Sequence, residues 1–276
     1  HITLPQGKNG MVHFSSQLNA REWLVEIRAV EGNRTVRWNN GQVGMKFQVP
    51  AANVALKQRY YNNGQLLDLW IAEFNTNGPA SAYLKEYAQP IKYEKLDQPY
   101  PLSYYQTYFS FNPGSSEMPS AGRGFTSELV ETLLANGVVI APILLHTGVS
   151  SLEENEKPYP EYIEIDPLTA SILGNAKSQN KRIIAVGTTA VRAIESAVND
   201  QGHIEPYRGN TNLIIDSGYQ IKVANGLLTG FHEPHASHLH MLQALAGMQH
   251  IEQAYRIAIE QGYYWHQFGD LHLILP

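Results

Sequence analysis

The chain has 276 residues, 43% hydrophobic, 10% aromatic and 16% charged, with a formal net charge of −5 when its eleven histidines are neutral. Such a composition is that of a soluble globular protein, long enough for one large domain or two smaller ones. The absence of cysteine excludes disulfides, a thiolate nucleophile, thiolate zinc and cysteine-held iron–sulfur clusters, and the acidic balance means that a polynucleotide, if bound, must meet a local patch rather than a global field.

The longest apolar run, Val138 to Leu145, is too short to span a bilayer, and no secretory leader is visible. A cytoplasmic protein with no membrane partner is expected. The chain opens on His1 rather than a methionine, so a preceding segment is expected as well.

Taken in order, residues 1–82 read as a small all-β, barrel-like domain. Val12–Ser15, Glu22–Val30, Arg34–Trp38 and Lys46–Pro50 are short strand-like runs between Gly and Asn breaks. Ala55–Tyr61 and Gln65–Phe74 flank Asn62-Asn63-Gly64, a hairpin signal because Asn and Gly tolerate positive φ. A Pro-containing connector, residues 75–119, carries Tyr100, Tyr104, Tyr105 and Tyr108, which serve either as packing anchors or as stacking platforms. Residues 83–276 read as an α/β catalytic domain, so the fold class is α+β or α/β with a small barrel attached.

In that second part Ser127–Asn136 predicts a helix ended by Gly137, and Val138–Leu145 a buried strand. Pro167–Asn180 and Ala190–Val198 predict helices around a strand at Arg182–Val186, with a further strand at Leu213–Asp216. Tyr219–Val223 and Leu227–Phe231 predict a hairpin over Asn225-Gly226. A helix capped by Ser237 to Ala246, another at Ile251–Gln261 and a strand at Leu271–Leu275 close the chain.

Four features could carry chemistry. The strand before Gly187-Thr188-Thr189 should end where α/β sheets gather ligands, and Thr188 or Thr189 could cap a helix whose free N–H groups favour an anion, with Arg192 adding charge. The same tripeptide is explained as well by a plain helix cap. Pro119–Thr126 is a Gly-rich loop without the lysine of a nucleotide-triphosphate loop. Gly230–His240 holds four histidines, open to readings as a metal site, as proton transfer by His232, or as packing around the Ser237 cap; its spacing matches no standard zinc signature. Asp270, between Gly269 and an apolar strand, either has a perturbed pKa and a role or closes a turn.

Several of these segments occur together in one family. Tyr105-Gln-Thr-Tyr108, Asn112-Pro-Gly114, Pro119-Ser-Ala-Gly122 with Phe125-Thr126, Leu145-His146-x-Gly148, Gly187-Thr-Thr-x-Val-Arg192 with Glu195, Val223-x-Asn-Gly226-Leu-x-Thr229, Phe231-His232-x-Pro234 and Gly269-Asp270 resemble, in that order, the S-adenosylmethionine:tRNA ribosyltransferase-isomerases of queuosine biosynthesis. The resemblance runs from about Tyr83 to the end. It implies transfer of the ribosyl part of S-adenosylmethionine to a deazaguanine base in tRNA, with rearrangement to an epoxide-bearing cyclopentane and release of adenine and methionine. S-adenosylmethionine is then a co-substrate, and no metal or other cofactor is implied.

On this footing His146, His232 and Asp270 are the expected acid–base residues. Tyr105, Gln106, Ser120, Gly122, Arg123, Gly148, Gly187, Thr188, Thr189 and Arg192 are the expected substrate contacts, Arg123 toward a phosphate. The chain departs from the family pattern at Thr147–Leu152, Pro158–Glu161, Gly124 and Gly230–Ala236, which keeps open a paralogue with another acceptor. A His-cluster metal hydrolase and a non-catalytic RNA-binding module are the remaining alternatives.

Overall fold

The structure, a computed structural model, describes residues 1–275 apart from 33, 63, 92–99, 150–157, 233–236 and 266, with Ser237 described by its backbone only. It divides into two compact units. The first comprises His1–Tyr105, Gly114–Glu117 and Thr147–Val149; the second comprises Gln106–Pro113, Met118–His146 and Ser150–Pro276.

The first unit is a seven-stranded antiparallel sheet with one helix. Its strands are β1 (Ile2–Thr3), β2 (Asn9–Gln17), β3 (Glu22–Glu31), β4 (Arg34–Arg37), β5 (Lys46–Val49), β6 (Ala52–Asn62) and β7 (Gln65–Thr76), followed by α1 (Ala80–Tyr87). The order is β1-β2-β3-β7-β6-β5, with β4 extending the β7 side of β3. β1 and β5, at the two ends of that order, touch each other, so the sheet is nearly closed. The β6–β7 hairpin pairs Asn62 with Gln65 as the turn signal predicts; Asn63 itself lies outside the described residues. The short helix α1 falls inside the stretch expected to be a connector, where Tyr83 packs edge-on to Phe74.

Strand β3 has two buried faces for different reasons. Trp23, Val25, Ile27 and Ala29 alternate into the apolar core. The intervening Glu26 and Arg28 are also buried. Arg28 and Arg37 stand directly opposite across β3 and β4, a like-charge pairing that is unfavourable alone. Glu26 resolves it, its Oε1 accepting from Arg28 at 2.8 Å and Arg37 at 3.2 Å. A β-bulge between Phe14 and Gln17 leaves backbone carbonyls of β2 free. The Ser116 hydroxyl donates to those of Phe14 and Ser15, and Val149 N–H donates to Ser15 Oγ. This is how two distant segments join the sheet.

The second unit contains α2 (Ser127–Ala135), β8 (Leu144–His146), β9 (Glu161–Ile165), α3 (Pro167–Ser178), β10 (Ile184–Val186), α4 (Thr188–Ser196), β11 (Tyr207–Thr211), β12 (Gly226–Gly230), α5 (Ser237–Ala246), α6 (Met248–Glu260) and β13 (Leu271–Ile274). One sheet runs β10-β12-β13, with β10 and β12 parallel and β13 antiparallel. The other runs β11-β9-β8, all antiparallel. The core lies between the helices and these sheets around Leu227, Val191, Ile194 and Leu242. α2 and α3 start where expected, with Thr126 and Asp166 accepting from Leu129 and Thr169 N–H as caps, whereas α4 and α6 start at Thr188 and Met248, ahead of the expected Ala190 and Ile251. Among the described residues no helix is long and apolar enough to cross a membrane.

Three strand expectations are corrected. The run Val138–Leu145 forms a strand only from Leu144, and Val139 is largely exposed. The strand expected at Leu213–Asp216 lies instead at β11, just before it. Residues 219–223 form no hairpin with β12. The N–H groups of residues 222–224 are taken by a buried carboxylate, Glu195, which accepts from Lys222 at 2.8 Å, Val223 at 2.8 Å and Ala224 at 3.2 Å. A charge that accepts three backbone donors outcompetes a ladder partner here. β12 then takes β10 and β13 as neighbours.

Candidate active site

The second unit gathers most of the expected residues at the carboxyl ends of β10 and β12. Gly187 leaves β10 with φ 95°, a conformation that a side chain disfavours, while its N–H stays bonded to Leu228 O at 2.8 Å. The chain thus turns from strand into α4 within one residue. Neither threonine caps the helix, contrary to expectation: Gly187 is the N-cap, and among the described residues no side chain accepts from the first turn. Thr188 is buried and Thr189 Oγ1 lies 3.4 Å from Glu161 Oε1. The first N–H groups of α4 therefore remain for an anion.

The Gly-rich loop forms a 3₁₀ turn, Ser120–Gly124, packed on β12. Ala121 Cβ lies 4.0 Å from the position of a β-carbon on Gly187. Gly122 backs onto Thr107, which would be 3.2 Å from an added β-carbon, and Ser120 is half-buried.

Arg192 does not offer its charge to a ligand. It is 5% exposed and forks three ways: to Leu213 O at 2.9 Å, to Tyr159 O at 3.1 Å and to the Glu161 carboxylate. Burial pushes the Glu161 carboxyl up, opposed by the guanidinium beside it. The pair ties α4 to β9 directly behind the anion-facing helix start.

The histidines form a stacked group. His232, just past β12, packs ring on ring with His238 of α5 at 4.5 Å and 6°, and its Nε2 bonds Thr229 Oγ1 at 2.9 Å. Its N–H donates to the Tyr255 hydroxyl at 3.1 Å. Phe231 stacks on His272 of β13 at 5.3 Å and 6°. Burial pushes His232 well below the ordinary imidazole value, with His238 and His272 acting the same way. His238 is held at about 4 by burial and by the charge of Arg192. These rings are neutral near pH 7. His240 is exposed; His235 and the capping side chain of Ser237 lie outside the described residues. Among the described residues no group of three or more metal-binding side chains is gathered.

Asp270 closes a turn. Its Oδ2 accepts from Tyr264 N–H at 2.7 Å and its own N–H donates to Tyr264 O at 2.8 Å, so the ring partner of His232 is Thr229 and not Asp270. Arg123 holds the same turn, donating to Gln267 O at 2.8 Å and Gly269 O at 3.3 Å and lying over the Phe268 ring at 5.0 Å.

His146 ends β8, which packs on α4, and stacks on Tyr162 at 5.9 Å. Its Nδ1 is buried with no partner among the described residues, and burial lowers its pKa. Gln106 is exposed in this unit. Tyr105 and Gly148 belong to the β unit instead. Gly148 packs against β2, where a β-carbon would sit 2.6 Å from Ser15 Oγ; this close packing is a structural reason for the glycine.

Sequence reasoning missed Glu161, Tyr255 and His272 as parts of this group. For Glu161 the available signal was the pair Arg192 and Glu195 among the apolar residues Ala190, Val191, Ala193 and Ile194, since buried charges require partners.

A sequence model of the family described as "Queuosine biosynthesis protein" matches residues 6–274. The chain belongs to the queuosine biosynthesis protein family. Among family members, the S-adenosylmethionine:tRNA ribosyltransferase-isomerase of Desulfitobacterium hafniense is 42% identical over 178 residues, covering 62% of this chain and 52% of that protein. The protein of the same name from Carboxydothermus hydrogenoformans is 38% identical over 216 residues, covering 74% and 63%. The matches thus span about half to three-fifths of these relatives' length. A solved structure titled as an S-adenosylmethionine tRNA ribosyltransferase from Thermotoga maritima superposes with a TM-score of 0.48 at 23% identity, over 96% of this chain and 75% of that one.

Proposed function

We propose that this chain moves the ribosyl part of S-adenosylmethionine onto a 7-aminomethyl-7-deazaguanine base in tRNA, yielding the epoxide-bearing cyclopentane and releasing adenine and methionine. The observation that carries this is the convergence of the uncapped start of α4, the Ser120–Gly124 turn and the neutral His232 at one end of the β10–β12–β13 sheet, in a chain whose family relatives bear that name. The methionine carboxylate is placed at the N–H groups of Thr188 and Thr189. His146 and His232, kept neutral by burial, serve as proton acceptors near the ribose and the acceptor amine. Asp270 and Arg123 fix the neighbouring turn. S-adenosylmethionine is consumed as a co-substrate, no other cofactor takes part, and the reaction belongs in the cytoplasm.

The test is incubation with S-adenosylmethionine and tRNA carrying the deazaguanine, followed by chromatography. Adenine and methionine should appear in equal amounts. Adenine release that does not depend on that tRNA would instead establish a different acceptor. Full turnover by both His232→Ala and Asp270→Asn would remove these residues from the mechanism.

A further inference from the structure

The end of the β10–β12–β13 sheet opposite Thr188 and His232 carries a cationic groove that the reaction leaves unused. The segments leading into β10 and β12 line it together with the end of α3, and its volume is about 300 Å³. Lys177, Lys181 and Lys222 face it beside Asn180, and Arg182 adjoins Lys181 in the chain. Lys181, Arg182 and Lys222 are exposed, and Lys177 is held by donating to Gly202 O at 2.8 Å.

These charges differ from the paired ones in the protein. Arg28, Arg37, Lys57, Arg59, Arg192 and Arg208 each lie against a carboxylate. Among the described residues, none of Lys177, Lys181, Arg182 and Lys222 has a carboxylate within ion-pair distance. Glu195, beneath the groove, is buried and occupied by the N–H groups of residues 222–224. Glu205, on the turn that Lys177 reaches, accepts from Asn199 Nδ2 at 2.7 Å.

Unpaired cations converging on one concave strip of an acidic chain form the electrostatic footprint of a polyanion backbone. The groove is separated from the helix start by the length of β10 and β12, three and five residues, or about 10–17 Å at about 3.3 Å per residue. That is the line through the sheet; a nucleic-acid strand, which follows the surface, needs at least about three to five steps of about 3.4 Å to cover it. We propose that this groove holds the tRNA phosphate backbone a few nucleotides from the reacting base; the assignment rests on the function proposed above.

The experiment measures binding of an unmodified tRNA transcript to the 276-residue chain between 50 and 200 mM salt. Wild type is compared with Lys181→Gln/Lys222→Gln and, as a control, with Lys46→Gln, which removes an exposed charge of the β unit. The double variant should lower the slope of log K against log salt by about 1.5, at about 0.7–0.9 per phosphate contact, and weaken binding at least about tenfold at low salt. Lys46→Gln should match wild type. Wild-type binding with an unchanged slope in the double variant, or an equal loss in the control, overturns the groove and leaves the proposed reaction standing. No tRNA binding by wild type overturns both.

Discussion

Replacing Glu161 with Gln should destabilise the protein by about 3 kcal/mol, although the side chain keeps its size. The reason is Arg192. At 5% exposure its guanidinium cannot recover water, and after the change it keeps the carbonyls of Leu213 and Tyr159 and a neutral amide oxygen in place of the carboxylate. Two charges about 3 Å apart at an effective dielectric of about 20 attract by about 5 kcal/mol, and breaking a buried pair from one side costs about 3–5 kcal/mol. The two remaining carbonyls place the expected loss at the lower end. Replacing both partners, Glu161→Leu with Arg192→Met, removes the stranded charge and should return most of that loss. About 1–2 kcal/mol should remain for the two carbonyls left without a donor. Urea unfolding followed by circular dichroism on wild type, Glu161→Leu, Arg192→Met and the double variant closes the cycle, with a coupling of at least about 2 kcal/mol expected. A single variant losing less than about 1 kcal/mol, or a double variant losing the sum of the singles, would refute the view that this is a buried charge pair tying α4 to β9.

Stability should fall as pH drops from about 6.5 to about 4. His13 and His238 are both held at about 4 in the folded chain, chiefly by burial, so the unfolded chain takes up protons that the folded one refuses. Their contribution is complete above pH 6.5 and is lost on acidification, on the order of 3 kcal/mol for each; His13→Gln should flatten the profile, and an unchanged profile would contradict it. Gly269→Ala should cost about 3 kcal/mol in denaturant unfolding. Its β-carbon would lie 2.4 Å from Tyr264 O and 2.5 Å from Trp265 O, both backbone atoms of the turn that Asp270 closes. Arg123→Ala and Arg123→Lys should both lower kcat while sparing the salt slope of tRNA binding, because neither side chain can fork to Gln267 O and Gly269 O. A slope reduced by about 1 with kcat intact would assign Arg123 to a phosphate instead.

The elements that sequence located well are those whose signals are local. Asn62 and Gly64 fix the β6–β7 hairpin, and Thr126 and Asp166 fix the starts of α2 and α3. Gly187-Thr188-Thr189 was legible as a strand-to-helix junction, though not in its capping. What escaped depends on distant partners. Asn225-Gly226 carries the same hairpin signal as residues 62–64, yet Glu195 draws off the donors of residues 222–224. Asn225 itself accepts from Ile183 N–H at 2.7 Å. Strands β9 and β11 pair with each other and went unforeseen, since neither is an apolar run. Arg192 looked like an available positive charge because its neutralising partner lies 31 positions earlier.

The route of the chain through the β unit bears on the order of folding. After Tyr105 the chain returns at Gly114–Glu117 and again at Thr147–Val149, and both returns bond the bulged part of β2. A nascent chain that has emerged only as far as α1 therefore carries every strand of the sheet but none of the groups that complete it. Until residue 116 leaves the ribosome the carbonyls of Phe14 and Ser15 lack this donor, and until residue 149 does the hydroxyl of Ser15 lacks its own. The strands of the β unit are synthesised before the groups that complete it, and a fragment cut after residue 105 should show faster amide exchange along β2 than the same strand in the full chain.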